Sequence, residues 1–214
     1  MPWLSILLHI LSIVGTGLAA DSIVYKDPDT GFTFSQYNAN YKYQSPNVIT
    51  FRTAVPTSAT APYDVVLQLT ALKEVAWLGL SWGGTMLNNP LTVVWPNGNT
   101  VTISSRLATQ RSQPTAYAGE TLQVLKTGTK VNSTHWEVTL KCSGCTSWTS
   151  SSGSTTTLNP NGSNRLAFAY SSTAPSTPSS NTSSFGVHDL FGYWNQDFSQ
   201  GQNADFQALV SKNS

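Results

Sequence analysis

Charge is what this 214-residue sequence has least of. Only 10% of its residues are Asp, Glu, Lys or Arg, and the two signs nearly cancel at a net +1. No basic stripe is present to meet a phosphate backbone, which excludes nucleic acid as a partner, and no acidic run forms a solvated arm. Cysteine is equally rare, with two residues, Cys142 and Cys145, in "CSGC". Structural zinc needs four ligands, and there are too few cysteines and histidines nearby. A thioredoxin-like pair would open a helix in a βαβ unit, and none is visible. In an exported chain a local disulfide is the favoured reading, stapling the end of a strand.

Long apolar runs are confined to the start, "MPWLSILLHILSIVGTGLAAD". The first twenty residues carry no Asp, Glu, Lys or Arg and end in small side chains. That pattern reads as a secretory leader, with Gly17 and Ala19 at the small-residue positions and cleavage after Ala19 or Ala20. The run falls short of the ~20 apolar residues that a membrane span needs, and no second one follows. The expectation is a leader over 1–20 and one soluble, secreted domain over 21–214, monomeric and without membrane attachment. Three acceptor sequons, at Asn132, Asn161 and Asn181, agree with export as candidate glycosylation sites.

Helical periodicity is nearly absent, and strand patterns recur. "YDVVLQLTAL" and "VAWLGLSW" alternate or run apolar over strand lengths, and "LTVVWPNGNTVTISS" reads as a hairpin about Pro96-Asn97-Gly98-Asn99. "ETLQVLKTGTKVNSTHWEVTLKC" predicts a second hairpin turning at "TGTK". Many short strands with close turns predict an all-β fold, an antiparallel β-sandwich of immunoglobulin-like type with two packed sheets. The final "NADFQALVSKNS" predicts one short helix. Residues 146–164 and 171–184, rich in Ser and Thr, read as exposed loops.

Several short patterns carry chemistry. Gly79-Leu80-Ser81-Trp82-Gly83 matches the G-x-S-x-G nucleophile elbow, but a strand follows where the elbow needs a helix. The acids between Ser81 and His188, Glu120 and Glu137, lie in strand-like contexts, so hydrolase chemistry is not expected. Strand alternation in "THWEVTLKC" puts His135 on a polar face with Glu137, Thr139 and Lys141. His188, beside Asp189 in the aromatic "SSFGVHDLFGYW", reads first as a satisfied loop-edge histidine. Met86 is the only methionine after Met1. It stands in "GGTMLNN", a glycine-and-amide loop in which packing explains a thioether poorly, and a soft metal ligand is the alternative.

These blocks have a common resemblance. "WGGTMLNNPLTVVWPNGNTVTISSRLAT", "QPTAY", "NSTHWEVTLKCSGCTSW" and "FGVHDLFGYW" resemble, in order, the haem b cytochrome domain of fungal cellobiose dehydrogenases. The resemblance runs from "DPDTGFTFSQY" to "LFGYW", nearly the whole expected mature chain. It implies a sandwich holding non-covalent haem b between methionine and histidine, which fall here on Met86 and His188, with family disulfide positions on Cys142 and Cys145. The absence of C-x-x-C-H agrees with non-covalent binding. With both axial positions filled, such a centre passes single electrons and is expected not to be a catalyst in itself.

Where family members often continue "RLAT" with Gly-Tyr near a haem propionate, this sequence has Gln110-Arg111. Arg111 is therefore a candidate propionate partner or an exposed loop charge, and Arg106 is a second candidate. The dehydrogenases continue into a flavin domain, whereas no G-x-G-x-x-G unit stands before Ser214. The expected donor is thus a separate secreted flavin dehydrogenase. Copper polysaccharide monooxygenases, ferric iron and quinones are the implied acceptors. The rival reading is a haem-free carbohydrate-binding sandwich that contacts polysaccharide through exposed aromatics.

Overall fold

The computed structural model describes residues 20–42 and 47–214. All of the predicted leader except its last residue lies outside them. The strands are β1 (Ile23–Lys26), β2 (Thr33–Asn40), β3 (Val48–Pro56), β4 (Val65–Leu72), β5 (Trp77–Ser81), β6 (Pro90–Asn97), β7 (Thr100–Leu107) and β8 (Thr115–Ala116). They continue with β9 (Thr121–Val131), β10 (His135–Ser143), β11 (Ser147–Thr149), β12 (Thr155–Thr157), β13 (Ser163–Ser171), β14 (Leu190–Asp197) and β15 (Gln202–Asn203), before helix α1 (Phe206–Asn213).

Two sheets form the sandwich. The first runs β1-β2-β3-β4-β10-β9, with β15 added in parallel beside the end of β3, and the second runs β14-β13-β5-β6-β7-β8. Alternation along the strands sends one set of side chains between the sheets, where Phe51, Leu67, Leu69, Leu80, Trp82, Val94, Trp136, Leu140, Phe168 and Trp194 make one core. The outer face of the first sheet is covered by α1. Its buried Phe206, Leu209, Val210 and Asn213 recur at helical spacing; the first three pack with Phe32, Phe34, Val66 and Leu125, and the Asn213 amide donates to the Thr30 carbonyl. With both of its faces covered, β4 is buried along most of its length and reads as the apolar run "VVLQLTAL".

The hairpin of β6 and β7 turns at Gly98, which has φ +61°, as the "PNGN" signal requires. The second hairpin departs from expectation. β9 runs straight through "TGTK", where Gly128 at φ +78° takes a bulge and the pairing with β10 shifts register between Glu137 and Thr139. The turn lies at 132–134 instead. There the Asn132 side-chain oxygen accepts from the Thr134 N–H, the Thr134 hydroxyl and the His135 N–H.

The two Ser/Thr-rich stretches are more ordered than their composition predicts. The first contains the β11–β12 hairpin, with Trp148 and Leu158 buried. The second is a strap laid across β6 and β7, held by polar bonds in place of apolar burial. Trp95 Nε1 and Thr102 Oγ1 both donate to the Pro178 carbonyl, at 2.7 and 2.8 Å. Cys142 and Cys145 form a disulfide in the inter-sheet core.

Candidate functional site

Among the described residues no helix covers the outer face of the second sheet, and a cavity of about 840 Å3 opens on it. Strand register builds its floor. Gly79 lies beside Val93 and Ala169, and Ala169 beside Phe191; one row on, Ser81 lies beside Leu91 and Ala167, and Ala167 beside Tyr193. Residues two apart on a strand share a face, so these side chains look outward together and line the cavity. Gly79, Ala167 and Ala169 keep the middle of the floor low, where glycine in a strand allows close approach of a ligand. Trp77 and Phe185, with ring centroids 4.8 Å apart, stand at one side.

Both rare side chains singled out by the sequence line this cavity. Met86 is 38% exposed, which rules out a core-filling role. Its loop follows β5 and is fixed by polar groups. Ser81 Oγ donates to the Thr85 carbonyl at 2.5 Å, and Asn89 Nδ2 reaches Thr85 O, Thr85 Oγ1 and Leu87 O at 3.1, 2.7 and 3.0 Å. Trp148 Nε1 donates to the Asn88 carbonyl, and Leu87 bridges to Ala108. The G-x-S-x-G match thus has a structural meaning: Ser81 holds the methionine loop, and a Cβ at Gly83 would overlap the Asn89 amide.

His188 enters from the other end of the same strands. It precedes Leu190, which pairs with Tyr170 and through it with Leu78, whereas the Met86 loop leaves β5 after Ser81. The next residue, Asp189, anchors it. The Asp189 carboxylate accepts from the Ser172 N–H and Oγ, both at 2.7 Å, and from Ser171 Oγ at 3.0 Å. These bonds, those of Ser172 foremost, hold its pKa below the usual aspartate value. The His188 ring packs edge-on to Phe191 at 5.1 Å.

The arginines separate. Arg111 lines the cavity beside Ser112, Gln113 and Pro114. Arg106 does not, which corrects its candidacy as a propionate partner: it is 3% exposed, and its guanidinium is taken up by one hydroxyl and three backbone carbonyls. His135 lies elsewhere, in a shallow cleft with Lys130 and Glu137. The three sequon asparagines are exposed in turns or loops. Glu120 is buried, with Oε2 2.9 Å from Cys145 Sγ, and with the two cysteines it is the sole metal-type grouping of His, Cys, Asp and Glu among the described residues. Both sulfurs are spent in the disulfide, so the group is no open metal site.

Sequence reasoning missed the floor residues and Trp77. Their alternation was visible, but nothing in it tells which sheet face stays open. It also missed Asn89 and Gln113, whose amides look like ordinary loop polarity.

The family described as the cytochrome domain of cellobiose dehydrogenase matches residues 25–208. The chain belongs to that family. A pyrroloquinoline quinone-dependent pyranose dehydrogenase of Coprinopsis cinerea is 34% identical over 166 residues, 76% of this chain and 22% of the relative's length. The chain therefore spans under a quarter of that protein. Among solved structures, the cytochrome domain of Myriococcum thermophilum cellobiose dehydrogenase superposes with a TM-score of 0.80 at 26% identity, over 92% of this chain and 98% of that one. The cytochrome b domain of the Coprinopsis cinerea pyranose dehydrogenase gives 0.76 at 26%, over 91% and 96%.

Membership of this cytochrome family implies a b-type haem, and the cavity fits one. Its walls are largely apolar, as a porphyrin face requires. Thioether and imidazole are donor types that haem iron accepts. Among the described residues, no carboxylate or cysteine lines the cavity to favour a harder metal or a thiolate centre. No helix among the described residues is long and apolar enough to cross a membrane.

Proposed function

We propose that this cytochrome domain is an extracellular electron carrier whose haem b is held by Met86 and His188. The reading is carried by one observation: the two side chains, 102 positions apart in the sequence, reach the same apolar cavity from opposite ends of its floor. When bound, the group supplies one-electron exchange at an iron between ferric and ferrous states. The protein does the rest. Met86 supplies a thioether that favours the reduced state, His188 supplies a neutral imidazole nitrogen, and together they deny small ligands a place to coordinate. Leu91, Val93, Phe191 and Tyr193 offer largely apolar surface to a porphyrin face, and Arg111 offers a fork to a propionate at the rim.

The donor in this reading is a sugar-oxidising dehydrogenase. The cellobiose dehydrogenase likeness favours a flavin enzyme, and the Coprinopsis relative adds a pyrroloquinoline quinone enzyme as a candidate. The acceptors are a copper polysaccharide monooxygenase, ferric iron or a quinone. The domain extends over 21–214 behind a cleaved leader, with Asn132, Asn161 and Asn181 as glycan acceptors. The deciding measurement is the visible spectrum of the secreted protein, oxidised and reduced. A low-spin haem with bands that sharpen on reduction is expected. A colourless protein that adheres to polysaccharide would replace this reading with that of a carbohydrate-binding module.

A further inference from the structure

Arg106 is a buried cation without a counterion. Among the described residues, no carboxylate lies within ion-pair distance of it. A desolvated charge without an opposite charge is costly unless its donors are well satisfied. Here four bonds do so: Nε to Ser104 Oγ at 2.6 Å, Nη1 to the Pro114 carbonyl at 3.0 Å, and Nη2 to the carbonyls of Asn181 at 2.9 Å and Ser183 at 2.7 Å. Ser104 Oγ in turn donates to Asn181 O at 2.5 Å.

These partners share one property. Pro114 ends the loop that brings Arg111, Ser112 and Gln113 to one wall of the cavity, and Asn181 and Ser183 belong to the strap that leads into Phe185 and His188. A second tie joins the same two segments, since Gln113 Oε1 accepts from the Phe185 N–H at 3.3 Å. The guanidinium carbon also stands 5.5 Å from the Phe185 ring centroid. On the far side of His188, Asp189 is tied to Ser171 and Ser172. The short run 185–188 is thus suspended between two anchors, and in the first of them Arg106 alone bonds both the 111–114 loop and the strap.

The geometry points to Arg106 as a positioning residue that clamps two loops to β7 and so aims His188 into the cavity. This rests on the haem reading above and goes past it, because Arg106 touches neither cavity nor ligand. Only a planar guanidinium suits the task. Its rigid fork presents N–H groups toward carbonyls from two separate segments, which a lysine ammonium on a flexible stem cannot do.

The test compares Arg106→Met, Arg106→Lys and Ser104→Ala with Arg52→Met, which removes a hydrogen-bonded arginine from the other sheet. Each is measured for folding by circular dichroism, for haem loss to an apo-globin acceptor, for carbon monoxide binding to the ferrous form, and for hydrogen exchange at 112–114 and 176–188. Both Arg106 variants are expected to lose haem at least ~tenfold faster, the worth of one lost hydrogen bond to a charged group. They should also bind carbon monoxide, as His188 lets go, and exchange faster in those two segments. Ser104→Ala should move the same way by less. Arg52→Met, at a comparable loss of melting temperature, should leave carbon monoxide binding at the wild-type level.

Full recovery in Arg106→Lys would overturn the clamp, since charge alone would then suffice. So would carbon monoxide binding in Arg52→Met equal to that in Arg106→Met. Should the Arg106 variants fail to fold, Ser104→Ala decides, and unchanged exchange at 176–188 in that variant would refute the proposal. If the wild-type protein binds no haem, the carrier reading falls. Exchange in the colourless protein still tests the clamp, through protection of 181–183 that Arg106→Met abolishes.

Discussion

A thioether and an imidazole at the two ends of one hollow make unequal demands on their surroundings. Met86 is expected to matter through its sulfur alone. Met86→Ala should weaken haem retention by ~tenfold or more and lower the reduction potential, because the ferrous state loses its soft donor. His135→Ala, in a separate cleft, should change neither. Redox titration and haem transfer check both, and equal effects from the two substitutions would refute the ligand assignment. A different residue governs the response to pH. Burial pushes the Glu120 carboxyl up to about 7, from 4.5 in water, against the pull of the Ser105 and Thr92 hydroxyls. The folded state therefore binds this proton more tightly than the unfolded chain does. Its contribution to stability is fully present below about 4.5, falls as pH rises through about 7, and levels off above. A disulfide sulfur has no proton to give, so the protonated carboxyl is the group that donates toward Cys145. Melting temperatures measured from pH 4 to 8 should decline across that interval, and Glu120→Gln should flatten the decline. An unaltered slope would show that another group titrates.

The cavity is made by elements that say little about one another in sequence. Gly83 shows how tightly the methionine loop is built. A methyl group there displaces the Asn89 amide, whose hydrogen bonds to Thr85 and Leu87 are worth about 1 kcal/mol each. Gly83→Ala should thus cost about 2 kcal/mol in urea unfolding and weaken methionine ligation in the near-infrared spectrum; an unperturbed spectrum would mean that the loop does not need Asn89. The strands themselves were legible, because "VVLQLTAL" and "LTVVWPNGN" carry period-two patterning and turn chemistry that act locally. The turn misplaced at "TGTK" shows the limit. Gly128 does adopt a positive φ, but it bends a continuing strand, and the real reversal uses the Asn132 side chain as its cap. The strap over 171–184 was illegible for another reason. Its order comes from carbonyls that accept hydrogen bonds from Trp95, Thr102, Ser104 and Arg106, all some 75 or more residues upstream, and no composition rule records that. Met86 and His188 stood out only as rarities until the family likeness joined them.

On the scale of the whole molecule, the sandwich has two outer faces treated differently. One is closed by α1; the other is left for a guest. The inter-sheet core of aromatic and aliphatic side chains is complete without any contribution from the cavity residues Met86, Val187 and His188. Haem removal should accordingly lower the melting temperature while preserving the far-UV β-sheet signal. The expected loss is about 2.7 kcal/mol at a hundredfold excess of haem over its dissociation constant. Collapse of that signal on extraction would mean that the guest holds the sheets together. Because the lodging is built on an exterior wall of a house that already stands, synthesis and loading are separable in time. The chain is therefore expected to reach its folded form as an empty vessel and to receive its pigment afterwards.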